Sequence, residues 1–378
     1  MQKVLIAGTF DIIHPGHLNL FKQAKELGDY LVVLVARDKN VIKNKGNKPF
    51  FKEAERLKQL SKINLIDKVI LGDFSDPYKI IQQQKPDIIA LGYDQQVYVA
   101  GLYQLLSRTN LSFKITRLKP FSGDICSSKR IRKAMEDKQS GFLLINKEPA
   151  YTSHDVVAKL RTLTGIRKIG HTGTLDPLAT GVLICAVGKA TTLTGLFNVL
   201  PKTYYATIKL GVTSDTYDRQ GKLSESAATV NISLPEIKNI LKDFTGKKQQ
   251  IPPMFSAKKV NGKKLYVLAR QNKIVKRPAQ EIEIYQLTII NWQSPFLEIK
   301  VICSAGTYIR SLVHDFGQKT GQDAVLWELK RTAIGDFKIE ETFKISDNLL
   351  NSPNWQEFLI KPSEAINRLN ECYVQNVG

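Results

Sequence analysis

Val4-Leu5-Ile6-Ala7-Gly8-Thr9-Phe10-Asp11, followed after two isoleucines by His14-Pro15-Gly16-His17, stands near the head of this 378-residue chain. Val4–Ala7 is a strand-sized apolar run and Gly8-Thr9 a turn. Leu18, Leu20, Phe21, Ala24 and Leu27 then fall at helical spacing over His17–Leu27. A second apolar run, Tyr30–Ala36, completes strand, glycine turn, helix and strand within about thirty-five residues, which is a βαβ unit with a right-handed crossover. The alternation continues outward. Helical patterns over Lys52–Ile63, Pro77–Gln84, Gly101–Arg108 and Ser127–Met135 are separated by extended runs at Lys68–Leu71, Asp87–Leu91 and Phe113–Leu118. This predicts a doubly wound parallel α/β domain over residues 1–136, with its ligands at the carboxyl ends of the strands.

The histidine pair sits where such a ligand belongs. Free backbone N–H groups and the positive end of a helix attract an anion, and imidazoles can donate to phosphate oxygens. A His-x-x-His turn alone is equally at home as a structural feature or an adventitious metal site; its place after a strand and Gly-Thr-Phe-Asp favours phosphate. Ser127-Ser128-Lys129-Arg130-Ile131-Arg132 opens the last helix of the domain, gathering hydroxyls and cations at a second helix start.

Composition narrows the function. Lys and Arg number 55 against 35 Asp and Glu, a net charge of +20 that suits a polyanionic partner such as nucleic acid. Divided near Glu136, each part carries about +10. A solvating lysine surface is the plain alternative. No apolar run approaches the ~18 residues a membrane helix needs, and the first residues read as a strand and not as a signal peptide. Cys126, Cys185, Cys303 and Cys372 are far apart with no Cys-x-x-Cys spacing, which excludes a zinc ribbon and predicts reduced thiols in the cytoplasm.

Gly8–Asp11, His14–His17, Leu91–Gln95 and Ser127–Arg132 together resemble the cytidylyltransferase-like nucleotidyltransferase family. Val35–Lys39 and Asp87–Gln95 look most like its archaeal-type FAD synthase branch. Lys129 departs from the usual Thr after the two serines. The resemblance implies that an acceptor phosphate oxygen, possessed by FMN in that branch, attacks the α-phosphorus of a nucleoside triphosphate. ATP would be the donor there and CTP in the cytidylyltransferase branches, with Mg²⁺ spreading the charge. It places Thr9, Phe10, His14, His17, Asp94, Ser128 and Arg132 in nucleotide binding: the histidines on the phosphates, Ser128 and Arg132 on the departing pyrophosphate, and Asp94 on the nucleoside. Two alternatives are a cytidylyltransferase for a small phosphorylated alcohol and a catalytically silent module for RNA binding or scaffolding.

Beyond a short polar linker, residues 137–140, the apolar strand Phe142–Ile145 begins a second domain expected over 141–370. Thr152-Ser153-His154-Asp155 offers a cap for a helix over Val156–Leu163. Gly170-His171-Thr172-Gly173-Thr174-Leu175-Asp176-Pro177-Leu178-Ala179-Thr180-Gly181 follows. Here backbone geometry, not helix propensity, places an aspartate between two apolar neighbours that strip water from it, and a nearby cation must offset that loss. Asp-Pro alone is also a common turn closure.

This loop resembles that of the TruB-type tRNA pseudouridine synthase family. Four further segments agree in the family's order: Lys202–Gly221, Gln250–Lys258, Cys303–Leu312 and Leu329–Thr332. The early Lys-Pro-x-Gly-x-Thr-Ser pattern reads Lys147-Glu148-Pro149-Ala150-Tyr151-Thr152-Ser153, without its glycine. The resemblance implies a mixed-sheet α+β domain that isomerises uridine-55 in the tRNA T-arm, with no cofactor and no metal. It makes Asp176 the catalytic carboxylate and Arg310 its bidentate partner, with Asp218 in the same charge network. Tyr204 would stack on the flipped uracil and take the C5 proton, His171 would support the flipped nucleotide, and Leu329 would close the pocket. Tyr204, Tyr205, Phe255 and Tyr266, interleaved with Lys247, Lys248, Lys258 and Lys259, also suit RNA binding.

Overall fold

Val4, Leu5 and Ile6 are almost fully buried because β1 (Lys3–Gly8) lies at the centre of a parallel sheet, covered on both faces. The computed structural model describes residues 1–121, 128–225, 230–256, 258–260, 262–271, 273, 275–346 and 355–375. After β1 come α1 (Pro15–Lys25), β2 (Tyr30–Val35), α2 (Asp38–Lys45), α3 (Glu53–Leu60), β3 (Lys68–Leu71), α4 (Lys79–Gln84), β4 (Ile88–Leu91), α5 (Val99–Arg108), β5 (Lys114–Arg117) and α6 (Ser128–Met135). The strand order is β3-β2-β1-β4-β5, all parallel. Order reverses between β1 and β4, and the crevice outside their carboxyl ends is where such sheets bind ligands. The doubly wound α/β domain is therefore present. The helix α2 has no counterpart among the expected elements; it is a short polar helix, ended by Gly46 at φ 71°, and it buries only Val41.

The chain leaves this unit between Lys138 and Gln139 and returns to it at Lys361. The final helix, Pro362–Gln375, thus belongs to the N-terminal unit and not to the second domain expected over 141–370. It packs on α3 and α6 through a face that buries Ala365, Ile366, Leu369, Cys372 and Tyr373. Periodicity reveals such a face but not the surface it covers.

The second unit, Gln139–Ile360, is built on a mixed sheet. Its elements are β6 (Gly141–Lys147), α7 (Ser153–Thr164), β7 (Ile169–His171), β8 (Thr180–Val187), β9 (Lys202–Leu210), β10 (Val212–Ser214), β11 (Leu223–Glu225), α8 (Leu234–Lys242), β12 (Gly246–Gln250), β13 (Lys259–Val260), β14 (Lys263–Lys264), α9 (Leu265–Ala269), β15 (Gln280–Gln293), β16 (Phe296–Cys303), α10 (Ile309–Thr320), β17 (Ala324–Ile334) and β18 (Phe337–Lys338). The main sheet runs β12-β15-β16-β9-β17-β8-β6; β17 and β8 pair in parallel and the other neighbours are antiparallel. The apolar faces of α7 and α10 cover one core, which includes Leu160, Leu183, Tyr204, Val301, Leu312, Phe316 and Leu329. The expected mixed-sheet α+β domain is what forms. Strand β9 alternates cleanly, so Tyr204 is buried in the core while Tyr205 is 41% exposed on the other face. Of these two aromatics, both expected to suit RNA binding, only Tyr205 is thus exposed, and the two lie on opposite faces of the strand.

Candidate active site

Asp176 lies in the loop between β7 and β8, and that loop is held from beneath by its carbonyl groups. Helix α7 begins with a reciprocal cap in which Thr152 and Asp155 each accept from the other's backbone N–H. This fixes Ser153, whose hydroxyl accepts from Leu175 N–H at 2.8 Å and donates to Leu175 O at 3.1 Å. Arg331, 2% exposed, donates from Nε to Val182 O (2.8 Å) and from Nη2 to Gly173 O (3.1 Å). Lys147, fully buried, donates to Tyr151 O (2.6 Å) and Pro177 O (3.3 Å); burial pushes its ammonium down to about 8. Glycine is required at 181: with φ +100°, a Cβ there would lie 2.1 Å from the Arg331 carbonyl oxygen.

The charge pair is where the motifs converge. Arg310, in the first turn of α10, donates from Nε to Asp176 Oδ2 at 2.8 Å, and the same nitrogen is 3.6 Å from Asp218 Oδ2. The contact with Asp176 is single and not the expected bidentate fork. The other arms of the guanidinium are taken by Thr216 O (3.2 Å) and Phe255 O (2.9 Å), so the fork fastens two further segments. The Asp176 side chain keeps 35% exposure, whereas those of Arg310 and Asp218 are at 5% and 6%. The nucleophile candidate faces outward, and its cation is sealed behind it. Gln250 supports the start of α10: its side-chain amide donates to Tyr308 O (3.0 Å) and accepts from Tyr308 N–H (2.8 Å). Asp218 Oδ1 accepts from the Thr216 hydroxyl (2.7 Å) and Gln220 N–H (3.0 Å).

Tyr204 and Leu329 come from paired strands and are nearly buried, at 8% and 7% exposure. Burial pushes the Tyr204 hydroxyl up, with the Arg331 cation opposing. His171 ends β7; burial and then Arg331 hold its imidazole down, and its Nδ1 has no hydrogen-bond partner. Among the lysines expected on RNA, Lys247 and Lys248 are exposed on the edge strand β12, Lys258 donates to Gln280 Oε1, and the Lys259 side chain lies outside the described residues.

In the N-terminal unit, His14 caps α1, its Nδ1 accepting from His17 N–H at 3.3 Å. The two imidazoles stack with centroids 3.7 Å apart, and Phe10 packs edge-on against His17 at 5.3 Å. Burial pushes His14 down to about 4 and His17 well below its ordinary value, so both rings are neutral, and His17 Nδ1 is buried without a partner. Thr9 contributes its carbonyl to a fully buried Arg56, which also donates to Phe51 O and Ala36 O and pairs with Asp38 at 2.6 Å. Asp94 is exposed just beyond β4, in a turn whose carbonyls at Gly92, Tyr93 and Gln95 accept from Arg117. Ser128 and Arg132 fall within α6, but their side chains lie outside the described residues.

Sequence reasoning missed Arg331, Lys147 and Arg56 as site residues. Arg331 and Lys147 stand inside quoted motifs, but their partners are 158 and 30 residues away, and nothing in a motif's spacing marks a cation that binds carbonyls.

A family model described as TruB family pseudouridylate synthase (N terminal domain) matches residues 161–309, and one described as cytidylyltransferase-like matches residues 5–134. The tRNA pseudouridine synthase B of Clostridium novyi (strain NT) is 43% identical over 237 residues, which are 63% of this chain and 81% of that protein. Its namesake in Clostridium tetani (strain Massachusetts / E88) is 42% identical over 229 residues, 61% of this chain and 78% of that one. Among solved structures, a Cbf5-Nop10-Gar1 complex is similar with a TM-score of 0.49 and 26% identity, covering 63% of this chain and 64% of that chain. Relatives that share this much sequence over most of their own length establish descent: behind a cytidylyltransferase-like domain, the chain belongs to the TruB family of pseudouridylate synthases.

Proposed function

We propose that the second unit converts uridine to pseudouridine in tRNA, at position 55 of the T-arm, with Asp176 as nucleophile. The observation carrying this reading is a carboxylate one-third exposed with a sealed guanidinium 2.8 Å behind it. The reaction breaks the N1–C1′ bond, rotates the base and joins C5 to C1′; a proton leaves C5 and one is gained at N1, so no oxidant and no hydrolytic water is consumed. Asp176 attacks the sugar or the base, or assists through a glycal. Arg310 orients it and disperses its charge. Tyr204 stacks on the extruded uracil, His171 and Leu329 support it, and the elevated Tyr204 hydroxyl makes proton removal from C5 through the phenolate favourable only as pH rises. Asp176→Asn tests the assignment: pseudouridine formation in the T-arm is abolished while tRNA binding stays within about twofold. Retained turnover removes Asp176 from this role.

We infer that the first unit is a nucleotidyltransferase, forming FAD from FMN and ATP. Two neutral stacked imidazoles at a helix start, one with a buried unpaired nitrogen, suit phosphate oxygens in the crevice between β1 and β4. The FMN phosphate oxygen forms a bond to the α-phosphorus of ATP as the bond to pyrophosphate breaks. Mg²⁺ would enter on the triphosphate, as nucleotide-bound magnesium generally does. When bound, that ion neutralises charge on the leaving pyrophosphate. Incubation with ATP or CTP and a panel of phosphorylated acceptors, read by pyrophosphate release, tests this. Release with FMN and ATP, abolished by His17→Ala with RNA modification intact, supports it; release only with CTP and a small alcohol phosphate, or none, overturns it.

A further inference from the structure

Arg310 is not the only residue of α10 that grips the Thr216–Asp218 segment. One helical turn on, at the i+4 position on the same face, His314 stacks on Tyr217 with ring centroids 3.9 Å apart and planes within 9°. Tyr217 sits at φ +64°, in the left-handed region that a bulky residue rarely occupies. Its backbone is also engaged: Tyr217 N–H donates to Ser214 O (3.2 Å) and Tyr217 O accepts from Leu326 N–H (3.0 Å) at the start of β17. The neighbours on either side are site residues, since Thr216 O accepts from Arg310 Nη1 and Asp218 Oδ2 lies 3.6 Å from Arg310 Nε. The tripeptide is thus held by one helix face at three successive residues: carbonyl, ring and carboxylate.

We propose that the Tyr217–His314 stack is a positioning clamp for the Asp176–Arg310–Asp218 cluster: it holds Tyr217 in its left-handed conformation and thereby fixes where Thr216 O and Asp218 meet the guanidinium. Neither ring touches the reacting atoms in this scheme. Strained backbone near a catalytic group persists only where surrounding contacts over-determine it, and here the stack supplies one such contact. Asp315, Asp323 and Arg277 are the charged groups that act on His314, and burial holds its imidazole down.

The inference rests on reading the chain as a uridine isomerase, and the test separates the two. Full-length wild type, His314→Ala, His314→Phe, Tyr217→Gly and the double variant Tyr217→Gly/His314→Ala are assayed for pseudouridine formation on tRNA under saturating and limiting substrate. Wild type without turnover refutes the isomerase reading itself. With wild type active, His314→Ala is expected to lower kcat about tenfold with KM within about twofold, since the loss lies in geometry and not in tRNA binding. His314→Phe, which can still stack, restores kcat to within about threefold. The double variant is no slower than the worse single one, as for residues that act as a pair. Unchanged kcat in His314→Ala, failure of His314→Phe to rescue, or multiplicative losses in the double variant overturns the clamp. If His314→Ala does not fold, the comparison of His314→Phe with His314→Asn, which is planar and polar but has no ring, decides on the same criteria.

Discussion

Replacing Arg310 with methionine removes one cation and leaves four groups behind. Asp176 loses a 2.8 Å partner, the buried Asp218 loses its nearest guanidinium, and the carbonyls of Thr216 and Phe255 lose donors at 3.2 and 2.9 Å. Breaking a buried ion pair from one side destabilises by about 3–5 kcal/mol, because the remaining charge is stranded. Water reaches the one-third-exposed Asp176, and Asp218 keeps hydrogen bonds from the Thr216 hydroxyl and Gln220 N–H, so the lower end, about 3 kcal/mol, applies here. At about 2–4 °C per kcal/mol for a unit of this size, the melting transition of the second unit falls by about 6–12 °C. Adding Asp218→Asn removes the stranded charge and returns about 1–2 kcal/mol, a coupling that independent sites do not show. Scanning calorimetry of the full chain reads the shift, and hydrogen exchange in β17 peptides assigns it to the second unit. A transition within about 2 °C of wild type, or a double variant that is less stable by the sum of both changes, refutes the claim that Arg310 is the shared counter-charge.

Three further outcomes follow from particular geometries. Ala150, at φ +70°, occupies the glycine position of the family's early pattern, so Ala150→Gly relieves a left-handed conformation costing about 1–2 kcal/mol against about 0.4–1 kcal/mol of added chain entropy; thermal unfolding shows a net gain, with Gly165→Ala, at φ +73° in open space, losing stability as the converse. Acid weakens the first unit: the unfolded chain takes up protons at about pH 6.5, where folded His14 does not until about 4 and burial holds His17 well below its ordinary value, so stability is full above 6.5 and falls as pH drops below it, and His14→Asn/His17→Asn flattens the dependence of Tm on pH. Asn370 is buried on the final helix with both amide atoms unpaired, so Asn370→Leu raises the stability of the first unit by about 1 kcal/mol in chemical denaturation; a loss instead means a partner satisfies the amide.

The comparison between sequence and structure divides along a physical line. Local order was legible because it is written at short range. The alternation of apolar runs and helical spacing announced the βαβ unit at Lys3–Val35, and the Thr152–Asp155 pair announced the start of α7. Motif resemblance brought Asp176, Arg310, Asp218, Tyr204 and His171 into one candidate list. What it could not supply was the way the guanidinium divides itself among one carboxylate and two carbonyls, for that depends on three segments meeting at a single helix start.

By itself the sequence determined the alternating strands and helices that build the first unit's sheet, and the loop that must carry the carboxylate, since hydrophobic period, turn chemistry and glycine placement act within a few residues. Tertiary structure alone decided that Asp176 faces outward while Arg310 is sealed behind it, that Arg331 and Lys147 carry the loop on its carbonyls, and that the last helix completes the first unit. The reason is that burial and the pairing of a buried donor are properties of distance in space: Arg331 and the Gly173 carbonyl it binds are 158 positions apart along the chain.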